Sequence, residues 1–155
     1  MTIEGYCDAA CLGNPGPGVP AAVLVARCGD QVVRERELVG TVEPMTTNQR
    51  EELKGAILLL EALERPVSLT VTSDSRYLVD GMTRWVPNWV RKGWINANGQ
   101  AVANQDLWSK LIELASRHEV HWCWVKGHAG HVYNERCDRL AVAAVKAFKQ
   151  AQQRH

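Results

Sequence analysis

The chain has 155 residues, of which 46% are apolar and 23% charged. That is the length and composition of one soluble domain with a real core, and no low-complexity segment interrupts it. Lys and Arg number 18 against 17 Asp and Glu, so bulk charge identifies no partner, and any nucleic-acid contact must rest on local clusters.

In chain order, Ile3 to Asp8 predicts a strand. Cys11 to Gly18 is dense in Gly and Pro and predicts a rigid loop. Ala21 to Arg27 and Val32 to Val39 predict two strands joined by a turn at Gly29 and Asp30, so the chain opens with three antiparallel strands. A helix starts near Thr46 to Glu51, where Thr46 with Gln49 and Asn48 with Glu51 both have capping-box spacing. Leu53, Ile57, Leu60 and Leu63 then form an amphipathic stripe, and Pro66 stops it. Ser68 to Thr72 predicts a fourth strand, Ser75 to Met82 a short helix, and Arg84 to Asn104 a tryptophan-rich protrusion. Asp106 to Ser116 is helical, Glu119 to Lys126 a fifth strand, and Gly127 to His131 a flexible connection. The last helix spans about 133–150, and the polar tail from about 149 to 155 is expected to fray. The order predicts a single α/β domain over 1–155. Its mixed five-stranded sheet has three antiparallel strands and then two parallel ones, flanked by helices.

The five cysteines have no C-x-x-C spacing and cannot all pair, so free buried thiols are expected. No stretch reaches the ~18 apolar residues of a membrane span, and the first residues lack the regions of a signal peptide. A cytoplasmic protein that stays off membranes, as a monomer, is the expectation.

Asp8 and Asp74 each end a run that reads as a buried central strand. A carboxylate there loses solvation and persists where something positive faces it. No Arg or Lys lies within five positions of Asp8, and only Arg76 is close to Asp74. A metal ion is the obvious counter-charge, and oxygen-only ligands favour Mg²⁺ or Mn²⁺ over zinc. Glu52 and Asp138 lie at the borders of helical apolar stripes. A lone acid in a first turn is ordinarily a helix-dipole partner. Four such acids, two at strand ends and two at helix starts, tilt the reading toward a metal site.

Asp8 with Cys11 to Gly18, Thr46 to Leu53, Thr72 to Tyr77, Trp124 to His131 and Asn134 to Asp138 follow one another over nearly the whole chain. In this arrangement the sequence resembles type 1 ribonuclease H, in its bacterial form with a protruding handle at about 84–104. The resemblance implies a ribonuclease H-like fold. It also implies an endonuclease that hydrolyses the RNA strand of RNA–DNA hybrids with two Mg²⁺ ions, Mn²⁺ being a possible substitute. The metal-binding carboxylates it implies are Asp8, Glu52, Asp74 and Asp138, with His128 as a mobile catalytic histidine and Glu135 as an auxiliary acid. A surface histidine is the plain alternative for His128. The implied hybrid contacts are Cys11, Gly13, Asn14, Asn48 and Gln49 on the RNA side. On the DNA side they are Thr47, Trp85, Asn88 and Trp89. Asn14, Asn48 and Gln49 also suit turn and cap chemistry. Trp108, Trp122 and Trp124 are expected to be structural.

The sequence departs from the family pattern at several places. Ala9 and Ala10 stand where Gly-Ser is usual, Gln49 where Asn is common, and Arg76 where Gln is common. Gly93 to Asp106 holds no Lys or Arg, so only Arg84, Arg91 and Lys92 make the handle basic. These changes bear on affinity rather than chemistry. The rival readings are another nuclease of the superfamily, a catalytically dead hybrid-binding module, and a plain metal-binding α/β protein. The amides and His128 oppose the first, the four intact acids the second, and the loop and handle the third.

Overall fold

Strand β1 (Thr2–Cys11) is hydrogen-bonded on both sides in a computed structural model that describes residues 1–127 and 131–154. On one side it pairs antiparallel with β2 (Gly16–Cys28), which pairs antiparallel with β3 (Gln31–Val39). On the other it pairs parallel with β5 (Ser68–Ser73), which pairs parallel with β6 (Glu119–Trp124). The main order is therefore β3-β2-β1-β5-β6, with the three antiparallel and two parallel strands that the alternation of elements predicts. A sixth short strand, β4 (Glu43–Thr46), pairs with β2 off this path. It escapes sequence reading because Pro44 interrupts a four-residue run, a pattern that demotes a segment from central strand to edge.

Helix α1 (Asn48–Glu61) covers one face. Leu53, Ala56, Ile57, Leu59 and Leu60 pack with Cys7, Leu69 and Val71 of the sheet and with Leu107, Trp108, Leu111 and Leu114 of α4 (Gln105–Ala115). The opposite face is covered by α5 (Val132–Gln153), whose Cys137, Ala141 and Val145 meet Val19, Ala21, Val23 and Val25 of β2. Covered on both faces, β2 reads as a near-continuous apolar run rather than an alternating one. Helix α5 continues to Gln153, so residues 149 to 153 are helical and not a frayed tail.

The N-cap of α1 is Thr47, which accepts from the Arg50 N–H at 3.3 Å. Neither capping-box candidate is used. Glu51 instead turns inward, fully buried, and accepts from Thr46 Oγ1 at 2.9 Å beside Lys54 at 3.0 Å. The cysteines also divide: Cys7 and Cys137 are buried, while Cys28 and Cys123 are exposed.

The segment expected as one short helix breaks in two. After α2 (Arg76–Asp80) comes a π-helical turn, Gly81–Trp85, and then α3 (Val86–Arg91). Gly81 sits against the indole of the fully buried Trp108. The protrusion is pinned to that same indole by a chain of rings, Trp85–Trp89 at 5.8 Å, Trp89–Trp94 at 6.1 Å and Trp89–Trp108 at 5.4 Å. A Cβ at Gly81 would stand 2.0 Å from Trp108 Cη2. Gly81→Ala is therefore expected to destabilise the protein by about 1–3 kcal/mol, the usual range for overpacking. Denaturant unfolding followed by tryptophan fluorescence measures it.

Candidate active site

The β1–β5 register runs from Ile3 opposite Leu69 to Tyr6 opposite Thr72. Two residues further along each strand stand Asp8 and Asp74, so the pairing delivers both acids to the same end and the same face of the sheet. Asp8 is still in the β1–β2 ladder, paired with Ala21, and is 9% exposed. Its Oδ1 accepts from the Ala9 N–H at 2.8 Å. Asp74 has just left β5, and its backbone carbonyl accepts from Trp124 Nε1 at 3.0 Å. Gly127 passes directly over it. A Cβ there would lie 3.0 Å from Asp74 Oδ2, so a glycine keeps room for the carboxylate to hold a ligand.

Glu52 reaches the site from α1. Its Oε1 accepts from Asn48 Nδ2 at 2.6 Å, and its Oε2 accepts from Ser75 Oγ. Asp138 comes from the second turn of α5, next to the buried Cys137. The four acids thus arrive from both faces of the sheet. Their proximity is felt at Asp8, whose carboxyl is pushed up to about 8. Burial is the main cause, followed by the charge of Asp74; the Ala9 N–H opposes it, and Asp138 and Glu52 add further upward pushes. Burial also raises Glu52, with Ser75 and Asn48 pulling down and Asp74 pushing up.

Among the described residues no ion pair relieves this, since none involves Asp8, Glu52, Asp74 or Asp138. Nor are any three His, Cys, Asp or Glu side chains among those residues grouped so as to hold a metal ion by themselves. The site is an open cluster of acids, which suits a hard divalent cation that takes its remaining oxygens from elsewhere.

A cleft of about 710 Å³ opens beside Glu52 and Asp74. Four of the sequence-predicted contacts line it: Asn14, Thr47, Asn48 and Gln49. Asn14 Oδ1 accepts from the Asn48 N–H at 3.1 Å, which ties the loop after β1 to the start of α1. Cys11 ends β1 and Gly13 lies on that loop, neither lining the cleft, and Cys11 Sγ donates to the Gly13 carbonyl at 3.1 Å. Trp85, Asn88 and Trp89 stand apart on the protrusion. Glu135 is in the first turn of α5. His128 lies outside the described residues.

Ser75, Arg76, Tyr77, Ala103 and Asn104 also line the cleft, and the sequence reading assigned none of them a role. Asn104 has a left-handed backbone, φ 61°. Its amide donates to Tyr77 Oη at 3.0 Å and accepts from Arg50 Nη1 at 3.1 Å. These partners lie tens of positions away, so no local signal marks them. Arg76 stacks over Trp124, 4.1 Å from its ring centroid. Trp124 is 37% exposed, so it is not a core residue, and it supports the site from outside the cleft through Asp74 and Arg76.

The ribonuclease H family model matches residues 2–146. The chain belongs to the ribonuclease H family. Members of this family are hydrolytic endoribonucleases that cut the RNA of RNA–DNA hybrids. The ribonuclease H of Syntrophotalea carbinolica is 53% identical over 92% of this chain and 90% of its own. That of Dinoroseobacter shibae is 54% identical over 93% and 91%. Among solved structures, LC9-RNase H1, a type 1 ribonuclease H with the type 2 active-site motif, superposes with TM-score 0.83 at 38% identity. That match covers 94% of this chain and 72% of the other. LC11-RNase H1 in complex with an RNA/DNA hybrid shares the fold, with TM-score 0.68 at 19% identity over 94% and 98%. No helix among the described residues is long and apolar enough to cross a membrane.

The raised Asp8 carboxyl has a consequence for stability. Its ordinary value is 3.8 and its folded value about 8. Folding therefore takes up a proton between those values, a contribution complete below pH 4 and lost as pH rises through 8. Without metal, Asp8→Asn is expected to stabilise the protein by on the order of a few kcal/mol near pH 9, and the gain should close toward pH 4. Urea unfolding in chelator across that range checks it.

Proposed function

We propose that this protein is an endonuclease that cuts the RNA strand of RNA–DNA hybrids by a two-metal-ion mechanism. The P–O3′ bond breaks, leaving 5′-phosphate and 3′-hydroxyl ends. The observation that carries the reading is the β1–β5 register that brings the buried Asp8 together with Asp74 at one strand end. There Glu52 and Asp138 also push on the Asp8 carboxyl, and no ion pair among the described residues involves any of the four. When bound here, two divalent ions, Mg²⁺ or Mn²⁺, would supply activation of water and stabilisation of the departing oxygen. Asp8 would hold both. Asp138 would hold the one on the attacking-water side, and Glu52 and Asp74 the one on the leaving side. Asn48 and Ser75 fix the Glu52 carboxylate by hydrogen bonds to both its oxygens, which preorganises it. His128 moves a proton or helps product leave, and Glu135 assists near the same helix turn.

Discrimination of RNA from DNA needs contact with 2′-hydroxyls. The amides of Asn14, Asn48 and Gln49 are donors and acceptors together and suit that task, aided by the backbone of Cys11 and Gly13. Thr47 caps a helix N-terminus that favours an anion, so it serves a DNA phosphate. Trp85, Asn88 and Trp89 take the DNA sugar. The protein works as a monomer in the cytoplasm.

Labelled RNA–DNA hybrid, duplex DNA and duplex RNA, each with Mg²⁺ or chelator, test the assignment. Cleavage confined to the hybrid with metal is expected, and Asp8→Asn should abolish it while the protein stays folded. Substantial metal-dependent cleavage by that variant would remove Asp8 from the metal site.

The handle generates a further test. Asn96 Oδ1 accepts from the backbone N–H groups of Asn98 and Gln100, whose side chains are exposed. Lysines can replace both without disturbing that turn. Asn98→Lys with Gln100→Lys is expected to lower KM at moderate salt and steepen its log–log salt dependence, by about 0.9 per new phosphate contact on duplex. The kcat should change little. An unchanged KM and slope would mean that this loop does not touch the hybrid.

A further inference from the structure

On the flank of α5 away from Asp138, charged and aromatic side chains join the helix to three strands. Glu35 of β3 accepts from Tyr133 Oη at 2.7 Å and from Arg136 Nη1 at 2.5 Å. Arg136 also reaches Glu37 at 3.8 Å and lies over the Tyr133 ring, 5.1 Å from its centroid. Tyr133 packs on Tyr6 of β1 at 5.1 Å. Arg27 of β2, paired with Glu4 at 2.9 Å, borders the same ring.

Two features make this grip consequential. The N-cap residue of α5, His131, makes no side-chain capping hydrogen bond, so its own cap does not anchor the first turn. The fully buried part of the stripe that seats the helix on β2 is short-chained, namely Cys137, Ala141 and Val145, with Leu140 and Ala144 packed partly buried at its edges. Short side chains make shallow ridges, and shallow ridges resist sliding and rolling weakly. At about 100° per residue, Tyr133 and Arg136 fall on one flank of that stripe, and Glu135 and Asp138 fall on the other. A roll that lifts the first flank lowers the second.

We propose that Glu35 is a positioning residue. By holding Tyr133 and Arg136 it sets the roll and height of the first two turns of α5, and through them the place of Asp138 among the other acids. The inference rests on the assignment of Asp138 as a metal-holding carboxylate. Glu35 itself touches neither substrate nor metal.

The test compares Glu35→Ala, Glu35→Gln and the parent, with Val145→Ala as a control that loosens the same helix farther along. Amide hydrogen exchange of the metal-free proteins is read over 132 to 138, together with the Mg²⁺ concentration for half-maximal cleavage and the KM for hybrid. In Glu35→Ala, exchange over that stretch should quicken. The metal requirement should rise about tenfold, the low end for groups that orient metal ligands, while KM stays within about twofold, since α1 and the β1–β2 loop carry the hybrid contacts. Glu35→Gln keeps both acceptor oxygen and shape at reduced strength, and should fall between. Exchange no faster than in the parent overturns the grip whatever the activity. Faster exchange with an unchanged metal requirement overturns the positioning role, as does an equal rise in Val145→Ala. A parent that cleaves no hybrid at any metal concentration refutes the functional reading instead, and the exchange measurement still decides the grip.

Discussion

Mutual repulsion among four carboxylates at the end of the central strand is the constraint on which this molecule turns. Asp8 cannot move away, because β1 is hydrogen-bonded on both sides. Asp74 is delivered beside it by the register of the neighbouring parallel strand. Glu52 and Asp138 come from helices seated on opposite faces of the sheet. A folded state that gathers unpaired charge in this way is held together elsewhere, by apolar burial on both sides of β1 and β2. In the proposed reading that repulsion would favour a divalent cation, since each acid that raises the Asp8 carboxyl would also attract it.

Rigid surroundings keep the acids from relaxing apart. Glu52 is hydrogen-bonded through both oxygens, to Asn48 on its own helix and to Ser75 beyond β5. Arg50, two residues before Glu52, holds Asp106 and Asn104 at the start of α4. Asn104 and Trp108 both donate to Tyr77 Oη. One network therefore connects α1, α2 and the return of the protrusion, and it forms part of the wall of the cleft. The tryptophan chain that begins at Trp108 carries that rigidity out to Trp85 and Trp89. Distance between the acids and the protrusion is thus set by packed rings and paired polar groups rather than by loop conformation.

Charge is distributed by the same logic. The chain is nearly neutral, yet four acids come to the strand ends, while Arg84, Arg91 and Lys92 belong to the protrusion. Arg76 is held flat on Trp124, whose indole is itself tied to the Asp74 carbonyl. The guanidinium thereby stays beside the acid cluster without forming an ion pair with it. A polyanion with a phosphate drawn toward the acids by cations would find counter-charges on the protrusion.

The strands, the two long helices and the four acids were legible from the chain, because each leaves a local trace. Apolar runs alternate or recur at helical spacing, Gly and Pro mark the ends, and a carboxylate closing a buried strand is conspicuous by itself. Four of the predicted hybrid contacts also line the cleft. Less legible were features decided by partners far away in sequence. The cap on Thr47, the burial of Glu51 against Thr46 and Lys54, and the short strand β4 depend on which neighbours the folded chain supplies. The exposed position of Trp124 under Arg76 and the place of Asn104 in the cleft follow from contacts with Arg76, Tyr77 and Arg50. Periodicity and residue type by themselves determined the fold class and singled out Asp8 and Asp74 as acids that close buried strands, since both are written in short-range pattern. Tertiary structure alone decided how strongly those acids interact and what holds them in place, because burial and charge proximity exist only once distant segments meet.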